Sequence, residues 1–74
     1  MATHMVTAML QREGEGWVAL CPELDVASQG DTIEEARANL REAVELFLES
    51  ASETEIQQRL HKETYVTPLE VHIA

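Results

Sequence analysis

Positive charge is scarce in this chain. Five Lys and Arg stand against fourteen Asp and Glu, for a net charge of -9. Neutralising a phosphate backbone takes clustered Lys and Arg, so direct nucleic-acid binding is disfavoured. An acidic field instead suits a basic protein partner, and it also keeps a small protein soluble. Cysteine is nearly absent. Cys21 stands alone, which excludes a disulfide within the chain and a structural zinc site built on thiolates. A free thiol fits a reducing cytoplasm. There is no long apolar run, so neither a signal peptide nor a membrane span is expected. His4, His61 and His72 are far apart and lack metal-ligand spacing. Repeats, low-complexity tracts and linkers are also missing.

What is present fits one small domain, spanning 1–74. A chain of 74 residues buries only about 60% of the surface it exposes when unfolded. With disulfide and zinc excluded, self-association is the expected source of extra support.

Met1 to His4 read as a frayed start. Val6, Ala8 and Leu10 alternate with Met5, Thr7 and Met9, a strand signal over Met5–Arg12. Glu13-Gly14-Glu15-Gly16 supplies glycines for a tight connection, and Trp17–Cys21 reads as the second strand of a hairpin. Pro22 has no N–H to give to a ladder, so that strand stops near Cys21. Leu24–Gln29 forms a third strand, with Leu24 and Val26 on one face.

Gly30 punctuates the chain before a helix. Thr32 is the expected N-cap, and Glu35 three residues on completes a capping box. At about 100° per residue, Ile33, Ala36, Leu40, Ala43, Val44, Phe47, Leu48 and Ala51 share one stripe. Glu34, Glu35, Glu42, Glu45 and Glu49 lie off it. Ser52 and Glu55 repeat the capping pattern, which predicts a bend near Ala51 and a short second helix to about His61. After Pro68, Leu69, Val71 and Ile73 alternate with Glu70 and His72, the pattern of a closing strand.

The fold class expected is α+β: a two-layer β-β-β-α-β arrangement, with a mostly antiparallel four-stranded sheet under one main helix. Val6, Ala8, Leu10, Val18, Leu20, Leu24, Val26, Leu69, Val71 and Ile73 would meet the helix. Met5, Met9, Trp17, Ala19, Cys21 and Ala27 would form the other face. That face is too apolar for a monomer to leave wet, so Met5, Met9, Trp17, Ala19 and Ala27 are the expected interface of a homo-oligomer, a dimer or tetramer.

Trp17-Val18-Ala19-Leu20-Cys21-Pro22-Glu23-Leu24, followed by Ser28-Gln29-Gly30-Asp31-Thr32-Ile33-Glu34-Glu35-Ala36 and Asn39-Leu40-Arg41-Glu42-Ala43, resembles the HicB-like antitoxin family. That family has an aromatic strand, a Pro-acid-Leu turn, a short strand and G-D-T-x-E-E-A opening a helix. The resemblance covers about Met5 to Glu49. It implies a shortened ribonuclease-H-like βββαβ domain that binds and inhibits a small basic toxin, HicA-like, which cleaves messenger RNA. Many members carry a DNA-binding segment after this domain. This chain ends at Ala74 without room for one, so operator binding by this chain alone is not expected. The family also often has Gly shortly after the Pro-acid-Leu turn, where this chain has Asp25 and Val26.

Partner contacts are expected from the acidic helix face, Glu34, Glu42, Glu45 and Glu49, and from the turn around Glu23, Asp25 and Gln29. No catalytic, metal or cofactor residue is assigned. Glu34 and Glu35 read as acids favoured at a helix N-terminus. Ribonuclease H chemistry needs carboxylates converging on divalent metal; the first strand offers none and the last only Glu70. Cys21 lacks a nearby His or a basic setting and reads as an inert thiol, and Ser28 has no triad pattern around it. An orphan oligomeric structural or regulatory domain without a toxin partner is the alternative, with a metal-dependent nuclease behind it.

Overall fold

The computed structural model describes residues 3–61 and 63–74. Met1 and Ala2 of the expected frayed start lie outside the described residues. The elements run β1 (Met9–Glu13), β2 (Gly16–Cys21), β3 (Val26–Gly30), α1 (Ile33–Ser50) and α2 (Glu53–Leu60). The strands form an antiparallel sheet in the order β1-β2-β3. The α+β class therefore holds, with a three-stranded sheet and two helices.

Both helix starts form as the capping residues dictate. The Glu35 N–H donates to Thr32 Oγ1 at 3.0 Å, and the Glu35 carboxylate accepts from the Asp31 N–H at 3.3 Å. The Glu55 N–H donates to Ser52 Oγ at 3.1 Å. The bonds to Thr32 Oγ1 and Ser52 Oγ each satisfy a donor that the first helical turn leaves open, and the Asp31 bond ties down the residue before the first cap. Between the helices Ala51 is extended, at φ -80° and ψ 150°, which breaks the helix where the second cap begins.

The faces of the sheet are reversed in β2 relative to expectation. Val18 and Leu20 are the larger pair, and hydrophobicity alone sends them inward. The register decides otherwise. Gly14 and Glu15 are the central residues of the hairpin, and partners such as Met9↔Leu20 and Leu10↔Ala19 have numbers summing to 29. An odd sum pairs even positions of β1 with odd positions of β2, and cross-strand partners share a face. Leu10, Ala19 and Ser28 thus form one row toward α1, while Met9, Leu20 and Ala27 form a row on the far side. Gly14 has φ +59°, as the first central residue of a type II′ turn requires.

The core consists of Ala19, Cys21, Leu24, Ala36, Leu40 and Val44, with Val6, Leu10, Trp17, Val26, Phe47, Leu48 and Leu60 packed around it. Trp17, Ala19 and Cys21 therefore belong to the helix side. Ala19 and Cys21 are fully buried, and Ala19 is unavailable to a second copy. Trp17 packs against the core while Arg12 stacks over its ring at 4.7 Å. Ala8, expected inside, is exposed. Small residues at Ala19, Cys21 and Ala36 let helix and sheet approach closely. Gly30 marks the limit of that approach: a Cβ there would lie 2.5 Å from the Ala36 backbone nitrogen.

The expected fourth strand is not formed. Leu69, Val71 and Ile73 are 84%, 71% and 95% exposed and meet no helix stripe. Sequence alternation supplies a strand's face, but a strand also needs a neighbour's backbone groups, and the described chain does not bring this segment to the sheet. The four-stranded ribonuclease-H-like arrangement is thus not what the described residues adopt.

Candidate functional site

Residues picked out for partner contact fall into separate places. Glu34, Glu42, Glu45 and Glu49 are exposed on α1, on the side away from Ala36, Leu40 and Val44. Arg41 lies within this acidic stripe and pairs with Glu45 at 3.6 Å. Both side chains are largely exposed, at 76% and 61%, so the pair is solvent-screened and contributes little to stability. Leu46, 59% exposed, sits beside the same acids. The face is a charged surface with one apolar side chain at its edge.

Glu23 has a structural role that sequence reasoning missed. Its carboxylate accepts the Thr7 N–H at 3.0 Å on both oxygens and the Thr7 hydroxyl at 2.6 Å. Continuing the β1–β2 register would set Thr7 opposite Pro22. Pro22 brings no N–H, so the ladder ends there, and the Glu23 side chain takes the next donor. Burial tends to raise the Glu23 pKa, but the hydrogen bonds from Thr7 outweigh it and hold the carboxyl below its ordinary value. The signal was Pro-acid itself: a proline that ends a ladder, followed by an acceptor able to replace it.

Cys21 Sγ lies 3.6 Å from Glu23 Oε1. Burial, together with the neighbouring carboxylate, raises the thiol pKa. A buried thiol held protonated is a poor nucleophile, in line with the inert role expected. Asp25, exposed, has φ 55°. Its short polar side chain tolerates this left-handed conformation, which is otherwise glycine's territory.

Gln29 is not part of that turn. It lies near the other end of β3, in a shallow hollow with Glu13, Trp17, Val18, Asp31 and Glu35. Its carbonyl accepts from Asn39 Nδ2 of α1 at 2.8 Å. Glu23 and Asp25 instead border a groove with Pro22, Ser52, Glu55 and Arg59. Arg59, also missed, joins α2 to this turn. It donates to the Leu24 carbonyl at 2.9 Å, pairs with Glu55 at 3.3 Å and stacks over Phe47 at 5.2 Å.

Of the expected oligomer interface, Met5, Met9 and Ala27 are exposed. Trp17 and Ala19 are taken up by the core, and Val18 and Leu20, half-buried, replace them on the far face. Among the described residues no three His, Cys, Asp or Glu side chains gather where an ion would sit. No described helix is long and apolar enough to cross a membrane.

No family model matches the chain, and no solved structure matches it. Curated relatives do. Two UPF0150 proteins of Synechocystis sp. are 50% identical over 46 residues, 60% of this chain and 58% of the relative, and 44% identical over 50 residues, 65% of this chain and 69% of the relative. A UPF0150 protein of Helicobacter pylori (strain J99) is 31% identical over 71 residues, which is 95% of this chain and 99% of that protein. That likeness takes in the sheet, both helices and the segment after them, and on it the chain belongs to the UPF0150 family.

Proposed function

We propose that the chain is a HicB-like, antitoxin-type protein that binds and inhibits a small basic toxin which cleaves messenger RNA. The observation that carries this reading is the solvent face of α1, where Glu34, Glu42, Glu45 and Glu49 stand exposed on a helix whose start is capped by Thr32. The net charge of -9 adds a field that steers a basic partner toward it. The Pro-Glu-Leu turn and the G-D-T-I-E-E-A helix start support the same family resemblance. In this reading the protein acts in the cytoplasm, uses no cofactor and performs no catalysis.

The test is co-expression with the small Lys/Arg-rich protein of the adjacent reading frame. The two should co-purify, and the neighbour's ribonuclease activity should fall in the complex. Reversing Glu34, Glu42, Glu45 and Glu49 to Lys together should slow association about tenfold or more at low salt and flatten its salt dependence. A neighbour that neither co-purifies nor loses activity sinks the proposal. The alternative, an orphan oligomeric domain, is favoured by a different observation: the exposed apolar residues of the far sheet face and the last segment, which need another copy and not a basic partner.

A further inference from the structure

Residues 63–74 form an unusual surface. Tyr65, Val66, Leu69, Val71 and Ile73 are between 63% and 95% exposed. Among the described residues this segment's own polar contacts are local, Thr67 Oγ1 with the Pro68 carbonyl and His72 with Glu70. Yet it carries the pattern of a strand. In sequence Leu69, Val71 and Ile73 alternate with Glu70 and His72, the spacing that sets two faces of a strand, and Pro68 stands just before, where a strand tolerates proline.

The sheet has a matching vacancy. Its order leaves β1 and β3 as edges. At β3 the Gln29 carbonyl is already bonded by Asn39, and α1 lies so close that Gly30 has no room for a Cβ. Among the described residues the β1 edge has no such cover. It is five residues long, the length of Leu69–Ile73. Leu10 and Val6 are only half-buried on its helix side, and Met9 is exposed on the other. A strand laid there would put alternate apolar side chains beside Leu10, and its backbone would satisfy the open edge.

We propose that the segment Leu69–Ile73 of one copy pairs with the β1 edge of a second copy, so that two chains exchange their last strands. The occupant is a second copy because the segment stands away from its own sheet, while the core, six buried residues among those described, is small for a domain of this length. Reciprocal exchange gives a closed two-fold dimer, the commonest oligomer symmetry, and completes a four-stranded sheet in each half. This assignment is independent of any toxin.

Three measurements on the full chain decide it. Sedimentation equilibrium at micromolar concentration should show a dimer, and Val71→Pro, which removes a ladder N–H within the exposed tail, should weaken it at least tenfold. Amides of 69–73 should be protected from exchange in the dimer and exposed in Val71→Pro. The melting temperature of the unaltered chain should rise with concentration, a readout that holds even if the variant fails to fold. Three results would overturn the proposal: a monomer, with or without a protected tail; a dimer that survives Val71→Pro; or protection that appears only when a different protein is added.

Discussion

Gly30→Ala tests the close approach of α1 to the end of β3. A Cβ at this position would lie 2.5 Å from the Ala36 nitrogen, 2.9 Å from the Glu35 carbonyl carbon and 3.0 Å from the Ala36 Cα. Ordinary contact begins near 3.4 Å, so α1 must retreat by about 0.9 Å. All three atoms are backbone, and no side-chain rotation relieves them. The retreat would lift Ala36 and Leu40 away from Ala19 and Cys21, loosening the small buried core. Overpacking of this kind costs about 1–3 kcal/mol, which for a domain of this size is roughly 5–20 °C in melting temperature. Circular dichroism melts at fixed protein concentration read it out. Gly14→Ala is the contrast. Gly14 has φ +59° and open space around it, so the cost there is conformational strain of about 1–2 kcal/mol. Asn, which tolerates the left-handed region, should recover part of the loss at Gly14 and none at Gly30. A Gly30→Ala protein within about 0.5 kcal/mol of the unaltered chain would refute the steric argument.

Three further outcomes are expected. The folded carboxyl of Glu23 has a lowered pKa, so its stabilisation is full above the unfolded value, about 4.3, and is lost as pH falls through the folded one; Glu23→Gln should flatten the acid limb of urea midpoints measured from pH 7 to 3, and an unchanged limb would count against the Thr7 bonds. Arg59→Ala removes the bond to the Leu24 carbonyl and the stack on Phe47; a loss of about 1–2 kcal/mol is expected, with faster amide exchange across α2 and little change in the middle of α1. Asp25→Val places a β-branched residue at φ 55° and should cost about 1–2 kcal/mol, whereas Asp25→Gly should be tolerated; equal melting temperatures for the two would contradict the strain.

Local chemistry was legible in the sequence where it acts within a few residues. Thr32 with Glu35 and Ser52 with Glu55 placed both helix starts and the break between them, because a cap is a contact between near neighbours. The α1 stripe through Ala36, Leu40 and Val44 was legible for the same reason: helical periodicity is intrinsic to one segment. What failed needed two segments at once. Val18 and Leu20 read as inward because size was weighed strand by strand, while the hairpin register sends the smaller Ala19 and Cys21 there. Leu69, Val71 and Ile73 displayed a strand's alternation, but the described chain gives them no neighbouring strand. The acidic residues of α1 were correctly seen as off the apolar stripe. Glu23 differed, since its partner Thr7 is 16 residues away and only the interrupted ladder at Pro22 hints at it.

The two-residue hairpin loop has a consequence for how such a chain can change over time. Side chains alternate with a period of 2 along a strand. One residue added between Gly14 and Glu15, with the two-residue turn kept, would leave the partner numbers summing to 29 while moving every β2 residue up one place; that turns β2 over and presents Val18 and Leu20 to a helix seated for Ala19 and Cys21. The loop can lengthen by two residues at little cost, or by one if a bulge absorbs the extra residue. Descent with insertion at this point is therefore quantised by parity. Two chains of this family that differ there by a single residue, with no bulge, should have exchanged large for small residues throughout their second strand.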